Sequence, residues 1–302
     1  MGKPSGSPGK GNGKGNGKGG DGDTTATTTT TTTTAIIDET GAIVGTEDDD
    51  VLMGTDDVDD VLIGLDGNDF MDGGGGSDTY LVSGYDGVDT IMDSGPEVDG
   101  GDVQSSSSDD PNWDVLLAGQ KATYFYMSSF SSINGIEEIC AGGFGGVDIR
   151  GTMGDNVLDF STTLLTGISY IMGYEGDDTI TGSWGNDRIL GGPGNDTLDG
   201  GGGDDRLTGG PGADILEGGA GSDTFILGNA HDAGDTILDF TSDEDAININ
   251  GIILDADYVG YSLVQDGADT IIRVELDDGS TNDVATLLGV DVGDLSGSDF
   301  LV

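Results

Sequence analysis

Basic residues, cysteine and histidine are scarce in this chain of 302 residues. Only nine lysines and arginines face 58 aspartates and glutamates, which gives a formal charge of −49. A surface of that sign repels phosphate groups, so nucleic acid is excluded as a partner. Cys140 is the single cysteine, so no intramolecular disulfide can form. His231 is the single histidine, which removes HExxH zinc sites and most histidine-based catalysis.

Long apolar runs are also missing from the sequence. No stretch approaches the ~18 apolar residues of a membrane-spanning helix, and the first residues lack the apolar segment of an ordinary secretory signal peptide. Apolar residues still make up 34% of the chain and recur in a fixed register, which argues against a wholly disordered acidic polymer. The composition therefore predicts a folded chain without a membrane span, whose carboxylates need a compensating divalent cation.

Residues 173–226 consist of six consecutive nine-residue units: GYEGDDTIT, GSWGNDRIL, GGPGNDTLD, GGGGDDRLT, GGPGADILE and GGAGSDTFI. Glycine occupies positions one and four, aspartate position six and a large apolar residue position eight. Glycine permits positive φ and close approach of a neighbouring backbone, and a short carboxylate is a ligand that calcium prefers. The pattern predicts repeated turns, each with one carboxylate and one buried side chain.

The predicted metal-binding residues of this block share those positions. The aspartates are Asp178, Asp187, Asp196, Asp205, Asp214 and Asp223. The glycines are Gly173, Gly176, Gly182, Gly185, Gly191, Gly194, Gly200, Gly203, Gly209 and Gly212. The apolar residues at position eight are Ile180, Ile189, Leu198, Leu207, Leu216 and Phe225.

These units resemble the nonapeptide repeat of RTX (hemolysin-type) proteins, G-G-x-G-x-D-x-U-x, which is known as a calcium-binding solenoid pattern. The resemblance implies an all-β fold, a right-handed parallel β-roll or β-helix solenoid. Six residues of each unit form a turn, three form a strand, and two units complete one coil. It also implies several Ca²⁺ ions, held between stacked turns by aspartates and backbone carbonyls.

A less regular repeat block precedes this one at residues 42–93. Position-six matches there are Asp69, Asp78 and Asp89. The second unit is one residue too long, so either Asp59 or Asp60 holds position six. Asp48 and Asp57 replace the position-four glycine of the first two units, which predicts imperfect sites or a capping coil.

The rest of the chain divides by composition. We expect a disordered Gly/Lys and poly-Thr tail at 1–41, an irregular β-helix-like segment at 94–172, the second repeat block at 173–240 and a C-terminal β cap at 241–302. Three interpretations of the tail stay open: a flexible tether, a stalk carrying O-linked sugar, and a basic arm touching an acidic surface.

Residues 94–172 hold the features that the repeat pattern does not explain. The unit GTMGDNVLD has Asn156 where an aspartate is expected, which weakens a calcium site there. The aromatic residues Trp113, Tyr124 and Tyr126 fit either the core of a coil or stacking on a sugar. The carboxylates Glu137, Glu138 and Asp159 resemble a glycosidase pair only by chance in so acidic a chain. The nearest lyase-like candidates are Arg150 and Tyr170.

The sequence favours a protein without enzymatic activity. We expect a secreted calcium-binding β-roll that folds on meeting calcium outside the cell and serves as a structural or adhesive component of a surface or matrix. The alternative is a polysaccharide-modifying enzyme or accessory module acting through residues 94–172. Expected partners are calcium, a polysaccharide or cell surface, and further copies of the chain.

The last four residues, Asp299–Val302, bear on export. An acidic residue followed by three apolar ones resembles the carboxyl-terminal signal of type I secretion substrates in Gram-negative bacteria, whose secretion machinery is then a further partner. A buried final strand would have the same composition, so both interpretations stay open.

Overall fold

A computed structural model describes residues 36–37, 41–55, 58–65, 67, 69–82, 90–92, 115–118, 124–127, 129–130, 136–228 and 234–302. All of them belong to one compact unit, Thr32–Val302. The tail expected at 1–41 lies almost wholly outside the described residues, as do Asp89, Trp113 and His231.

The first repeat block folds into very short strands. They are β1 (Ile36–Ile37), β2 (Ile43–Val44), β3 (Val51–Met53), β4 (Val61–Ile63), β5 (Phe70–Asp72), β6 (Thr79–Val82) and β7 (Thr90–Met92). β1 and β2 pair antiparallel. From β2 onward, alternate strands pair in parallel: β4 lies between β2 and β6, and β5 lies between β3 and β7. Two strands and two turns therefore make one coil.

The middle of the chain continues the same arrangement. Its strands are β8 (Val115–Ala118), β9 (Tyr124–Tyr126), β10 (Ser129–Phe130), β11 (Glu138–Cys140), β12 (Val147–Arg150), β13 (Val157–Asp159), β14 (Leu164–Thr166) and β15 (Ile168–Met172). β8 joins β6 in parallel, and β15 joins the next repeat block through β17 (Arg188–Leu190). The middle strands thus share one sheet with the first repeat block and two other sheets with the second.

The second repeat block forms the most regular coils. Its strands are β16 (Thr179–Thr181), β17, β18 (Thr197–Asp199), β19 (Arg206–Thr208), β20 (Ile215–Glu217), β21 (Thr224–Ile226), β22 (Asp235–Ile237) and β23 (Ala246–Asn248). Even-numbered strands form one sheet and odd-numbered strands the other. Within the repeats, partners lie 18 residues apart, as in Thr179, Thr197 and Ile215. The expectation of two units per coil and of a parallel solenoid is confirmed.

Three-residue strands have a simple burial pattern because side chains alternate between two faces. In β16 to β21 the middle residue is buried in the coil and its two neighbours are more exposed. The six residues at position eight are at most 1% exposed and form a continuous apolar stack along the axis. One apolar side chain per strand is therefore enough for a core, provided that the coils stack.

The C-terminal residues differ in form. They comprise a one-turn helix α1 (Asn250–Ile253) and the strands β24 (Tyr258–Asp266), β25 (Asp269–Leu276), β26 (Thr281–Leu287) and β27 (Phe300–Leu301). β24, β25 and β26 pair antiparallel, whereas β26 extends the even sheet beside β22 and β27 extends the odd sheet beside β23. These antiparallel strands lie within residues 241–302, the segment predicted as a C-terminal β cap. In the described part of the chain, no helix is long and apolar enough to cross a membrane.

Candidate metal centre

The position-six aspartates form two rows along the edges of the second repeat block. In each row, Oδ1 accepts a hydrogen bond from the backbone N–H of the equivalent residue one coil earlier. Asp196 Oδ1 accepts from Asp178 at 2.8 Å, and Asp205 Oδ1 accepts from Asp187 at 2.7 Å. One row contains Asn156, Asp178, Asp196 and Asp214, and the other contains Asp187, Asp205 and Asp223. The repeat therefore stacks one carboxylate above the next.

The second carboxylate oxygen of four of these aspartates has no hydrogen-bond partner among the described residues. It is Oδ2 of Asp178, Asp196, Asp205 and Asp223. All four residues are at most 2% exposed. Burying a charged oxygen without a donor costs several kcal/mol, roughly, unless it is protonated or faces a cation. The orphaned oxygens therefore fit a metal ion as their missing partner.

The protonation of these groups supports the same conclusion. Burial, and then repulsion from Asp214 and Asp178 of the same row, raise the pKa of Asp196 to about 7. Burial raises the pKa of Asp205 to about 8, with further contributions from neighbouring carboxylates. A cation between the coils would remove both causes, because it solvates the carboxylate and screens it from its neighbours.

Except at Gly185, an added Cβ on the glycines predicted at positions one and four would overlap a neighbouring coil or the aspartate of the same unit. A Cβ on Gly194 would overlap the carbonyl oxygen of Gly176 in the preceding coil. A Cβ on Gly200 would overlap Oδ2 of Asp205 in its own unit, so this glycine leaves the space that the orphaned oxygen faces. The position-one and position-four glycines predicted from the sequence lie at the corresponding places in their turns.

Among the described residues, no three Asp, Glu, His or Cys side chains converge on one point. Each turn supplies one position-six carboxylate, and its other nearby oxygens are backbone carbonyls. Calcium accepts both kinds of oxygen, six to eight in total. The residues that would hold Ca²⁺ are therefore the position-six aspartates together with carbonyls of the glycine-rich turns.

The first repeat block contains the same row of hydrogen bonds, from a backbone N–H to the position-six Oδ1 of the next coil. Asp69 Oδ1 accepts the N–H of Asp50, and Asp78 Oδ1 accepts that of Asp60, both at 2.8 Å. Asp69 and Asp78 are fully buried. Asp60 occupies position six of the long unit, and Asp59 occupies position five, where it accepts the N–H of Ser77. Asp89 lies outside the described residues.

Two aspartates beyond the last repeat continue the rows. Asp235 Oδ1 accepts the N–H of Asp214 at 3.1 Å, and Asp245 Oδ1 accepts that of Asp223 at 2.9 Å. The separations are 21 and 22 residues instead of 18, so a search for nine-residue units misses them. The available signal is an aspartate directly before a short apolar strand, as in DTI and DAI.

Position five carries a second ladder that the pattern G-x-x-G-x-D does not reveal. Asp177 Oδ1 accepts the N–H of Asn195 at 2.8 Å, and Asp204 Oδ1 accepts that of Ser222 at 3.0 Å. Here the acceptor lies one coil before the donor, opposite to position six. These side chains are exposed, and they join the rims of adjacent turns. The signal in the sequence is a short polar residue at position five of most units.

Several residues considered for catalysis or for sugar stacking lie on strands of the middle segment. At the end of β12, Arg150 donates to Asp148 at 2.8 Å. The Arg188 guanidinium lies 5.7 Å from the centre of the Tyr170 ring. Tyr124 and Tyr126 belong to β9. Asp159 Oδ1 accepts the N–H of Ser161.

The stacked nonapeptide turns and buried carboxylate rows define a calcium-binding β-solenoid. A sequence profile of the RTX calcium-binding nonapeptide repeat matches residues 44–80, 166–198 and 199–233, in four copies. The chain belongs to the RTX calcium-binding nonapeptide repeat family. No curated protein sequence matches it.

Two solved structures are similar to parts of the chain. The AlgE6R3 subunit of the mannuronan C5-epimerase of Azotobacter vinelandii is 33% identical, with a TM-score of 0.35, over 41% of this chain and 77% of that one. The extracellular lipase LipA of Serratia marcescens is 17% identical, with a TM-score of 0.31. That alignment covers 85% of this chain, and the chain spans 39% of the lipase.

Proposed function

We propose that this chain is a secreted calcium-binding β-roll protein that folds on meeting calcium outside the cell. In this proposal it serves as a structural or adhesive component of a cell surface or extracellular matrix and has no enzymatic activity. The single observation that carries the calcium part is the set of buried Oδ2 atoms without a donor, stacked at one-coil intervals.

The magnitude of calcium binding supports coupling to folding. Extracellular calcium sites have dissociation constants near ~10⁻⁴ M. At ~1 mM calcium, each such site contributes about 1.4 kcal/mol to the free energy of unfolding. Several sites together reach the ~5–15 kcal/mol that keeps a typical domain folded. At the far lower calcium concentration of a cytosol this contribution nearly vanishes, and the formal charge of −49 favours the open chain.

Circular dichroism of the full chain tests the coupling. We expect the β signal to be weak with excess chelator and to rise as calcium is added, with magnesium at the same concentration as the control. Magnesium retains its waters and requires octahedral geometry, so it should replace calcium poorly. An identical β spectrum in chelator and in millimolar calcium would contradict the proposal.

The structural or adhesive role needs a separate test. The purified chain, loaded with calcium, should bind polysaccharide or cells, or self-associate, and should lose this property in chelator. It should leave acidic polysaccharides chemically unchanged. Cleavage or epimerisation of a glycan that disappears in Arg150→Ala would instead support an enzyme acting through residues 94–172.

A further inference from the structure

The turns of this protein adopt two conformations, and the residue at position two distinguishes them. In the turn of Asp187, position two is Ser183. Its N–H and its Oγ both donate to Asp187 Oδ2, at 2.6 and 2.8 Å. Oδ2 of this buried carboxylate therefore has two donors from the protein. We call such a turn closed.

The same closure recurs wherever position two is threonine in the described residues. In each case the threonine N–H donates to the side chain of the position-six residue. The pairs are Thr46 with Asp50 (2.5 Å), Thr55 with Asp60 (2.7 Å), Thr152 with Asn156 (2.7 Å) and Thr241 with Asp245 (2.8 Å). Neither these threonines nor Ser183 have positive φ.

The other turns of the second repeat block have a left-handed residue at position two. The φ values are 79° at Tyr174, 121° at Gly192, 90° at Gly201, 111° at Gly210 and 92° at Gly219. This conformation turns the position-two N–H away from the carboxylate. Gly192 donates to the Gly209 carbonyl at 2.8 Å, and Gly201 donates to Asp199 at 3.0 Å. We call such a turn open.

Asp187 and Asp205 form a matched pair. They occupy position six of turns one coil apart in the same row, joined by the hydrogen bond from Asp187 N–H to Asp205 Oδ1. Both are buried, with 7% and 1% exposure. Asp187 Oδ2 has two donors from Ser183, whereas Asp205 Oδ2 has none among the described residues.

We propose that position two decides which turns bind calcium: a left-handed residue opens the turn to the ion, and serine or threonine closes it. The open turns of the second block are those of Tyr174, Gly192, Gly201, Gly210 and Gly219. The Ser183 turn is closed and has only a structural role within that block. This inference rests on the proposed calcium binding and assigns it to particular turns.

Asn156 shows that a closed turn does not require a charge. Its Oδ1 accepts the N–H of Thr152 at 2.7 Å, and its Nδ2 donates to Thr152 Oγ1 at 2.9 Å. The amide thus makes two contacts with position two, as Asp187 does with Ser183, except that the hydroxyl accepts one of them. Asn should therefore replace Asp187 without loss of structure, whereas at Asp205 the same change removes charge from an open turn.

Equilibrium dialysis of the full chain against calcium alone tests this assignment. Asp187→Asn should bind as many calcium ions as the parent chain, and Asp205→Asn should bind at least one fewer. Equal losses in the two variants would overturn the role of position two while leaving calcium binding intact. A parent chain that takes up no calcium would overturn the proposed function itself.

Position two can be tested directly, even if Asp205→Asn fails to fold. Ser183→Gly allows the left-handed conformation and removes the hydroxyl, so this variant should bind one more calcium ion than the parent. Ser183→Ala is the matched control: it keeps the backbone N–H directed at Asp187 and should bind the parental number. An unchanged number in Ser183→Gly, or a gain in Ser183→Ala, would contradict the proposal.

Discussion

The second repeat block and the C-terminal sheet of β24, β25 and β26 build a core in opposite ways. In the repeats, each three-residue strand buries one apolar side chain, and each turn buries one carboxylate. The C-terminal strands are nine, eight and seven residues long and pair antiparallel. They bury Ile272, Val274, Val284 and Leu287 together.

The difference shows why short strands make the repeats depend on the stacking of their turns. A three-residue strand offers few backbone hydrogen bonds and one core contact, so the solenoid depends on stacking its turns closely. That stacking brings like charges together, as the raised pKa values of Asp196 and Asp205 show. The C-terminal sheet has no such rows, so its stability should not depend on a cation.

The largest expected effect is the response of the two regions to calcium removal. In chelator, backbone amides of the repeat strands, such as Ile189 and Leu207, should lose protection from hydrogen exchange. Amides of β25, such as Ile272 and Val274, should retain more of it because their sheet has its own apolar contacts. The measurement is hydrogen exchange on the full chain with and without calcium.

A joint loss of protection in the two regions would contradict this expectation. That result would mean that the C-terminal sheet is held by its pairing with β22 and is not stable by itself. An internal control is available in the same experiment, since the calcium-loaded chain should protect both regions.

Truncating the core should have the next largest effect. Leu207→Ala and Leu287→Ala each empty a fully buried site and should lower the free energy of unfolding by about 2–5 kcal/mol. Leu207 lies between open turns, so its loss should also weaken calcium affinity, whereas Leu287→Ala should leave affinity unchanged. Denaturant unfolding in saturating calcium, followed by calcium titration, checks both. Equal affinities in the two variants would argue against coupling between core and turns.

Lowering the pH should stabilise the metal-free repeats, whereas acid ordinarily destabilises a folded protein. The pKa values of Asp196 and Asp205 rise to about 7 and about 8 in the folded chain, above the usual value of 3.8. The folded state therefore binds more protons, so its stability falls as pH rises from about 4 to about 8. In chelator, β content should be greater at pH ~5 than at pH ~9. No change, or the reverse trend, would contradict the burial of these carboxylates.

Much of the fold could be predicted because the repeat fixes the role of each position. Glycine at one and four, aspartate at six and an apolar residue at eight predict the turn, its one carboxylate and its one buried side chain. They do not predict the hydrogen bonds that position-six Oδ1 atoms accept from the preceding coil. The choice between Asp59 and Asp60 could not be made, since it depends on which side chain meets Ser77 and which meets Thr55 across space.

Position two illustrates a different limit. Its residues vary among glycine, tyrosine, leucine, serine and threonine, so the position is not recognisable as part of the repeat pattern. The structure shows that φ and the direction of one N–H matter there, and Tyr174 adopts the same positive φ as the glycines. A left-handed tyrosine is uncommon, so the sequence alone would assign Tyr174 to the wrong class of turn.

The smallest expected effect concerns an ion pair in the C-terminal sheet. Arg273 donates to Asp283 at 2.5 and 2.8 Å across β25 and β26, and these hydrogen bonds hold the pKa of Asp283 below its usual value. Both side chains are well exposed, so solvent screens the attraction. Asp283→Asn should therefore barely change the free energy of unfolding, and its small effect should shrink further in high salt. A loss as large as that of Leu287→Ala would show that charge, as well as apolar packing, holds the C-terminal sheet together, and the contrast with the acidic turns would then weaken.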